Sequence, residues 1–152
     1  MNFNEFLDGF NSNTSSNTAS IPALSNFQII KICKKLKIKN FRGVFMRDNL
    51  PRSPTDNESM IINIDDSTGP GTHWVCLFIR DGSCIYFDSY GLSAPTEVSQ
   101  YCTNSQRHYS TFPIQTLGSN LCGHYCIYVL YKLDKGVAFD KILDELYKSN
   151  HA

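Results

Sequence analysis

No apolar run in the chain approaches the ~20 residues that a bilayer-spanning helix needs. The opening MNFNEFLDGF carries acidic residues and no long apolar stretch, so neither a membrane span nor a secretory signal is read. Without an export signal, the six cysteines (33, 76, 84, 102, 122 and 126) are expected as free thiols in a reducing compartment, not as three disulfides. No Cys-x-x-Cys or His-x-x-x-His pair occurs, which argues against zinc, and no metal or other cofactor is expected. Cys122 and Cys126 could share one helix face, but no second ligand pair accompanies them. Net charge is also lacking: 14 basic and 14 acidic residues leave a formal charge of zero. No internal repeat stands out.

What is present fits one domain. A chain of 152 residues is of single-domain length and can bury roughly 70% of its unfolded surface. Phe3, Phe6, Leu7 and Phe10 have the spacing of a short amphipathic helix, and NSNTSSNTAS (11–20) reads as a flexible polar linker. Residues 1–20 are therefore read as a flexible N-terminal segment with a short helix, and 21–152 as the domain. Ser25 is a plausible N-cap for a helix to about Leu36. Residues 41–58 read as loop and 59–65 as a buried strand. Residues 73–80 and 83–88 form a hairpin about the turn signal Asp81-Gly82. A helix is expected from Pro95 to about Cys102, and an edge strand over 111–115, where Pro113 lacks an N–H. Residues 122–133 form a helix apolar nearly all round, hence central, and 138–148 a closing amphipathic helix. The fold class is α+β, a small mixed sheet packed against a central helix.

Charge is unevenly placed. Between Lys31 and Arg47 lie seven basic residues and no acidic one. A solvated helix face accounts for them; a contact with DNA or another polyanion is the sharper reading.

Cys122 opens the central helix. A thiol there faces the positive end of the helix macrodipole and unpaired N–H groups, which favour the thiolate. Gly123 gives room beside the sulfur for a substrate backbone. Of the four histidines, His73 stands where a glycine-rich loop enters a strand, a rigid place to present a base. Residue 73 pairs approximately with residue 90 across the hairpin, which puts Asp88 beside His73. There its carboxylate can accept Nδ1–H and orient the ring, or alternatively cap the Asp-Ser-Tyr-Gly turn. Gln115, seven residues before Cys122, could supply an oxyanion donor. Asp65 and Asp66 read as a solvated strand end.

The series Gly-Thr-His73-Trp74, Tyr-Phe-Asp88-Ser-Tyr-Gly91, Gln115 and Asn-Leu-Cys122-Gly-His-Tyr-Cys resembles the adenain-like cysteine proteases. These are the maturation proteases of adenoviruses, similar to those of virophages and Polinton-type elements, in a clan that includes the SUMO-specific proteases. The resemblance spans about residues 24–133. It implies a papain-like, adenain-like fold with His73, Asp88, Gln115 and Cys122 as the catalytic set. Adenovirus members usually carry Glu where Asp88 stands, and Asp is usual elsewhere in the clan. Trp74 would cover a narrow substrate channel, or anchor the core. The implied activity is that of a thiol endopeptidase acting near small or glycine residues on capsid or other structural precursors during virion maturation. Adenovirus members are assisted by a short peptide and by DNA; an activating peptide is a candidate partner here, a dependence the resemblance does not by itself carry over, and a monomer residing in host cytoplasm, nucleus, viral factory or virion is expected. The alternatives are a deconjugating isopeptidase for a ubiquitin-like modifier, a clan-related acyltransferase, and an inactive binding domain.

Overall fold

The computed structural model describes residues 1–10, 21–69, 72–115 and 119–151, with the backbone alone for the last two. Among them are five strands in one sheet and five helices. In chain order these are α1 (Phe3–Asp8), α2 (Asn26–Lys35), β1 (Phe41–Met46), β2 (Asn57–Asn63), β3 (Trp74–Arg80) and β4 (Ser83–Phe87). Then come α3 (Thr96–Tyr101), β5 (Gln106–Tyr109), α4 (Cys122–Asp134) and α5 (Phe139–His151).

The sheet runs in sequence order from β1 to β5. The three inner strands are antiparallel, while β1 lies parallel to β2 and β5 parallel to β4. The β3–β4 hairpin turns on Asp81 and Gly82, both at positive φ (52° and 80°), as a two-residue primed turn requires. Its ladder runs from Arg80↔Ser83 to Cys76↔Phe87. Extending that register carries position 73 to position 90, the pairing read from the sequence.

Alternation along the inner strands sends their side chains into two cores. Ile61, Cys76, Phe78 and Phe87 face α4. Met60, Ile62, Val75 and Leu77 face the opposite side, with Val98 of α3 and Cys102 just after it. Helix α4 is buried along most of its length, consistent with an element apolar on every side. Ser25 caps α2 through a capping box: its Oγ accepts from Gln28 N–H at 3.2 Å and its N–H donates to Gln28 Oε1 at 2.8 Å.

Three sequence expectations change. The stretch read as loop over 41–58 contains β1, whose half-exposed pattern shows no clean alternation. The edge strand placed at 111–115 is absent; the edge is β5, four exposed residues that pair with β4. Residues 114 and 115 are held instead by N–H bonds to the Ser89 carbonyl, at 2.7 and 2.9 Å. The N-terminal helix is no loose attachment: Phe3, Phe6 and Leu7 are buried in the α4-side core. The polar linker at 11–20 lies outside the described residues.

Candidate active site

Cys122 is the first residue of α4 and the one cysteine of the six that is not buried. It opens onto a groove of about 600 Å³. The groove is also lined by His73 and Trp74 at the entrance to β3, by the ends of β1 and β2, by the start of α2, and by Tyr90.

His73 is buried, as is the carboxylate behind it. Its Nε2–H donates to Asp88 Oδ1 at 2.7 Å. The pairing of the two residues follows the hairpin register, but the ring nitrogen is the other one: Asp88 takes Nε2, not Nδ1. That leaves Nδ1 for the thiol. Burial alone would push the His73 imidazole down; the hydrogen bond to Asp88, the contact with Cys122 and the charges of both outweigh it and raise the pKa to about 9. Asp88 is itself fixed. Its Oδ1 accepts the Tyr90 N–H at 2.9 Å, and Ser110 Oγ accepts its backbone N–H and donates to its carbonyl. The Tyr90 ring stacks on the imidazole, with centroids 4.5 Å apart and planes at 18°.

Gln115 is buried. Ser89 Oγ donates to its Oε1, and its Nε2 donates to the Ser119 carbonyl at 2.8 Å, three residues before Cys122. An amide group has two N–H donors. One is committed to the segment before Cys122, of which residues 116–118 lie outside the described set.

Trp74 donates its Nε1–H to the Leu24 carbonyl at 3.2 Å, tying the start of β3 to the approach of α2. Gly123 is buried, and the space left by its missing side chain is occupied by protein. A Cβ there would come within 3.3 Å of Trp74 Cδ1 and 3.4 Å of Ile29 Cδ1. Gly123 thus lets the indole pack beside the start of α4, so that Trp74 lines the same groove as Cys122.

The other histidines stand apart. His124 is fully buried under the Phe10 ring, and neither ring nitrogen has a hydrogen-bond partner among the described residues. Burial lowers its pKa to about 4, so it is neutral. His108 is exposed on β5. The basic stretch divides: Arg42 pairs with Glu58, and Arg47 with Asp66 and Glu97, while Lys31, Lys34, Lys35, Lys37 and Lys39 are exposed. Asp66 is thus an ion-pair partner as well as a strand-end residue. No helix among the described residues is long and apolar enough to cross a membrane.

A thiol at a helix start, an imidazole in the same groove and a buried carboxylate behind it are the parts of a thiol-dependent acyl-transfer site. The protein is similar in fold to the pS273R protease of ASFV, with a TM-score of 0.64 over 88% of this chain and 67% of that one, at 18% identity. The SUMO protease Ulp1 matches over 97% of this chain and 90% of its own, with a TM-score of 0.52 and 11% identity. The chain thus shares its fold with these two proteases. No protein-family model matches the sequence, and no curated protein is significantly similar to it. At these identities the likeness establishes the fold alone, and the site geometry has to carry the chemistry.

Sequence reading had singled out His73, Trp74, Asp88, Gln115, Cys122 and Gly123. Ser89, Tyr90, Ser110 and Asn63 join them only in the structure. Their partners are distant in sequence or depend on loop shape, and no local motif marks them.

Proposed function

We propose that the chain is a cysteine endopeptidase in which Cys122 is the nucleophile, His73 the general base and acid, Asp88 the orienting carboxylate and Gln115 an oxyanion donor. The observation that carries this reading is the His73–Asp88 pair at 2.7 Å in contact with a half-buried Cys122 at the start of α4. In the first step the Cys122 thiolate attacks the scissile carbonyl carbon. The oxyanion is met by the N–H groups at the start of α4, which have no intrahelical partner, and by the second N–H of Gln115. The imidazolium of His73 gives its proton to the leaving amine as the C–N bond breaks, leaving a thioester. Water, losing its proton to His73, then hydrolyses the thioester and restores the thiolate.

The Trp74 indole, packed at the start of α4 and lining the groove with Cys122, supports a narrow channel and hence glycine or another small residue next to the scissile bond. By resemblance, the substrates are precursors of viral structural proteins cut during virion maturation. The exposed lysines of α2 and the turn after it are the surface for a DNA contact if there is one. A deconjugase for a ubiquitin-like modifier would use the same residues, and the fold likeness to Ulp1 keeps that reading second.

The first test is the rate of iodoacetamide alkylation at Cys122 against pH, with the labelled site assigned by mass spectrometry. Fast labelling near neutral pH in the wild type, falling by about 10²-fold or more in His73→Ala, is expected for an activated pair. Labelling of Cys122 no faster than that of the five buried thiols, unchanged in His73→Ala, would remove the enzyme reading. Cleavage of glycine-containing peptides, set against cleavage of a modifier joined through an isopeptide bond, then separates endopeptidase from deconjugase.

A further inference from the structure

Asn63, the last residue of β2, is 99% buried yet lines the groove. Its neighbours in the sheet are Met46 at the end of β1 and Trp74 at the start of β3, and both line the groove as well. The side-chain oxygen is fully engaged. Asn63 Oδ1 accepts the Asp65 N–H at 3.0 Å and the Thr72 N–H at 3.1 Å, closing the neck of the loop that delivers His73. Two backbone donors converging on one atom fix which end of the amide is oxygen, so the NH₂ group must point the other way. Among the described residues that NH₂ group has no hydrogen-bond acceptor, and it is not one of the fully enclosed polar atoms that lack a partner. The residue's small remaining exposure is therefore at the groove. A donor-only group held rigidly, almost wholly desolvated and unpaired is costly to leave so and is satisfied by an acceptor that enters the groove.

We propose that Asn63 is a substrate-binding residue, its side-chain N–H donating to a main-chain carbonyl of an extended, glycine-containing peptide in the groove. A main-chain carbonyl is the acceptor that every peptide offers whatever its side chains, so this contact aligns the backbone while Trp74 limits side-chain size. The inference rests on the reading of the groove as a cysteine protease site, and it adds a second task to a residue that also clamps the His73 loop. The two tasks use different atoms of one amide, which makes them separable.

Asn63→Asp keeps an oxygen for the two loop N–H groups and replaces the donor by an acceptor. The experiment compares second-order labelling rates at Cys122 for two electrophiles: iodoacetamide, which needs no backbone alignment, and a triglycine peptide ending in a vinyl sulfone, which does. Loss of one hydrogen bond is expected to slow the peptide probe about tenfold in Asn63→Asp while the iodoacetamide rate stays within about twofold of wild type. If both rates fall together, Asn63 acts only through the loop and His73, and the proposal fails. It also fails if neither rate falls. A second measurement needs no stable aspartate variant: replacing each probe carbonyl in turn by a methylene should cost wild type about tenfold at one position and cost Asn63→Ala nothing there. Equal losses in both proteins would overturn the assignment. If the wild type labels Cys122 with either probe no faster than its other thiols, the protease reading itself is what has failed.

Discussion

His73 holds its proton far above the ordinary value of 6.5, up to about 9, because a carboxylate and a thiol both favour the imidazolium. The sign for stability follows. Between pH 6.5 and 9 the folded chain binds this proton and the unfolded chain does not, so unfolding free energy falls as pH rises through that window. The contribution is complete below about 6.5 and gone above about 9. Urea midpoints measured across this range should decline in wild type. The decline should flatten in Asp88→Asn, which keeps the shape and removes the charge. A midpoint that rose with pH in wild type and not in Asp88→Asn would contradict the charged pair. At this scale much of the site was legible. His73, Asp88 and Cys122 each lie at a strand or helix end that the sequence marks. The nitrogen used by Asp88 was not legible, because ring orientation is set by Tyr90 stacking on one face and by the path of the backbone.

Helix α4 opens with Cys122, and its next turn is constrained by burial. His124, two residues into it, is neutral with its pKa lowered to about 4 by burial. As pH falls from 6.5 to 4, the unfolded chain takes up a proton that the folded chain refuses, so stability is lost in that window, by roughly 3 kcal/mol at its end. His124→Phe should remove this acid slope, read as urea midpoints at pH 7 and pH 4.5, with little change at neutral pH. The segment carrying Gln115 has a different constraint. Gly91 sits at φ 71°, and a Cβ there would lie 2.5 Å from the Phe112 carbonyl carbon. Gly91→Ala therefore combines left-handed strain with a clash against backbone, and a loss of about 2–4 kcal/mol is expected in denaturant titration, with Cys122 reactivity reduced through the displaced Gln115 segment. The hairpin, α2 and α4 were readable because caps, turn residues and apolar periodicity all agreed. The edge strands β1 and β5 were not: a Phe-Arg-Gly-Val run and an exposed Gln-Arg-His-Tyr run become strands only by pairing with a neighbour, which local pattern does not record.

The whole molecule is closed by its N-terminus. Sequence composition separates residues 1–20 from the rest, but α1 packs across α4 and α5. The Phe3 ring stacks on Tyr125 at 4.5 Å, and the Phe3 N–H donates to Glu145 Oε2, which also accepts the Tyr128 hydroxyl at 2.6 Å. The turn after α1 places Phe10 over His124 at 4.7 Å, two residues along α4 from Cys122. The first ten residues are thus built into the core that supports Cys122. Whether they fold with it or merely dock on it is decided by Phe3→Ala. If α1 belongs to one cooperative unit, the substitution lowers the global urea midpoint by the equivalent of about 3 kcal/mol, typical of a buried Phe truncation, and amide exchange accelerates in α4 and α5 as well as in α1. If α1 is a detachable arm, exchange accelerates in α1 alone and the global midpoint stays where it was. The shared carboxylate favours the first outcome: Glu145 joins α1, α4 and α5 through one side chain, so α1 cannot leave without breaking the Phe3 N–H bond to that carboxylate and uncovering the Tyr125 and Tyr128 rings.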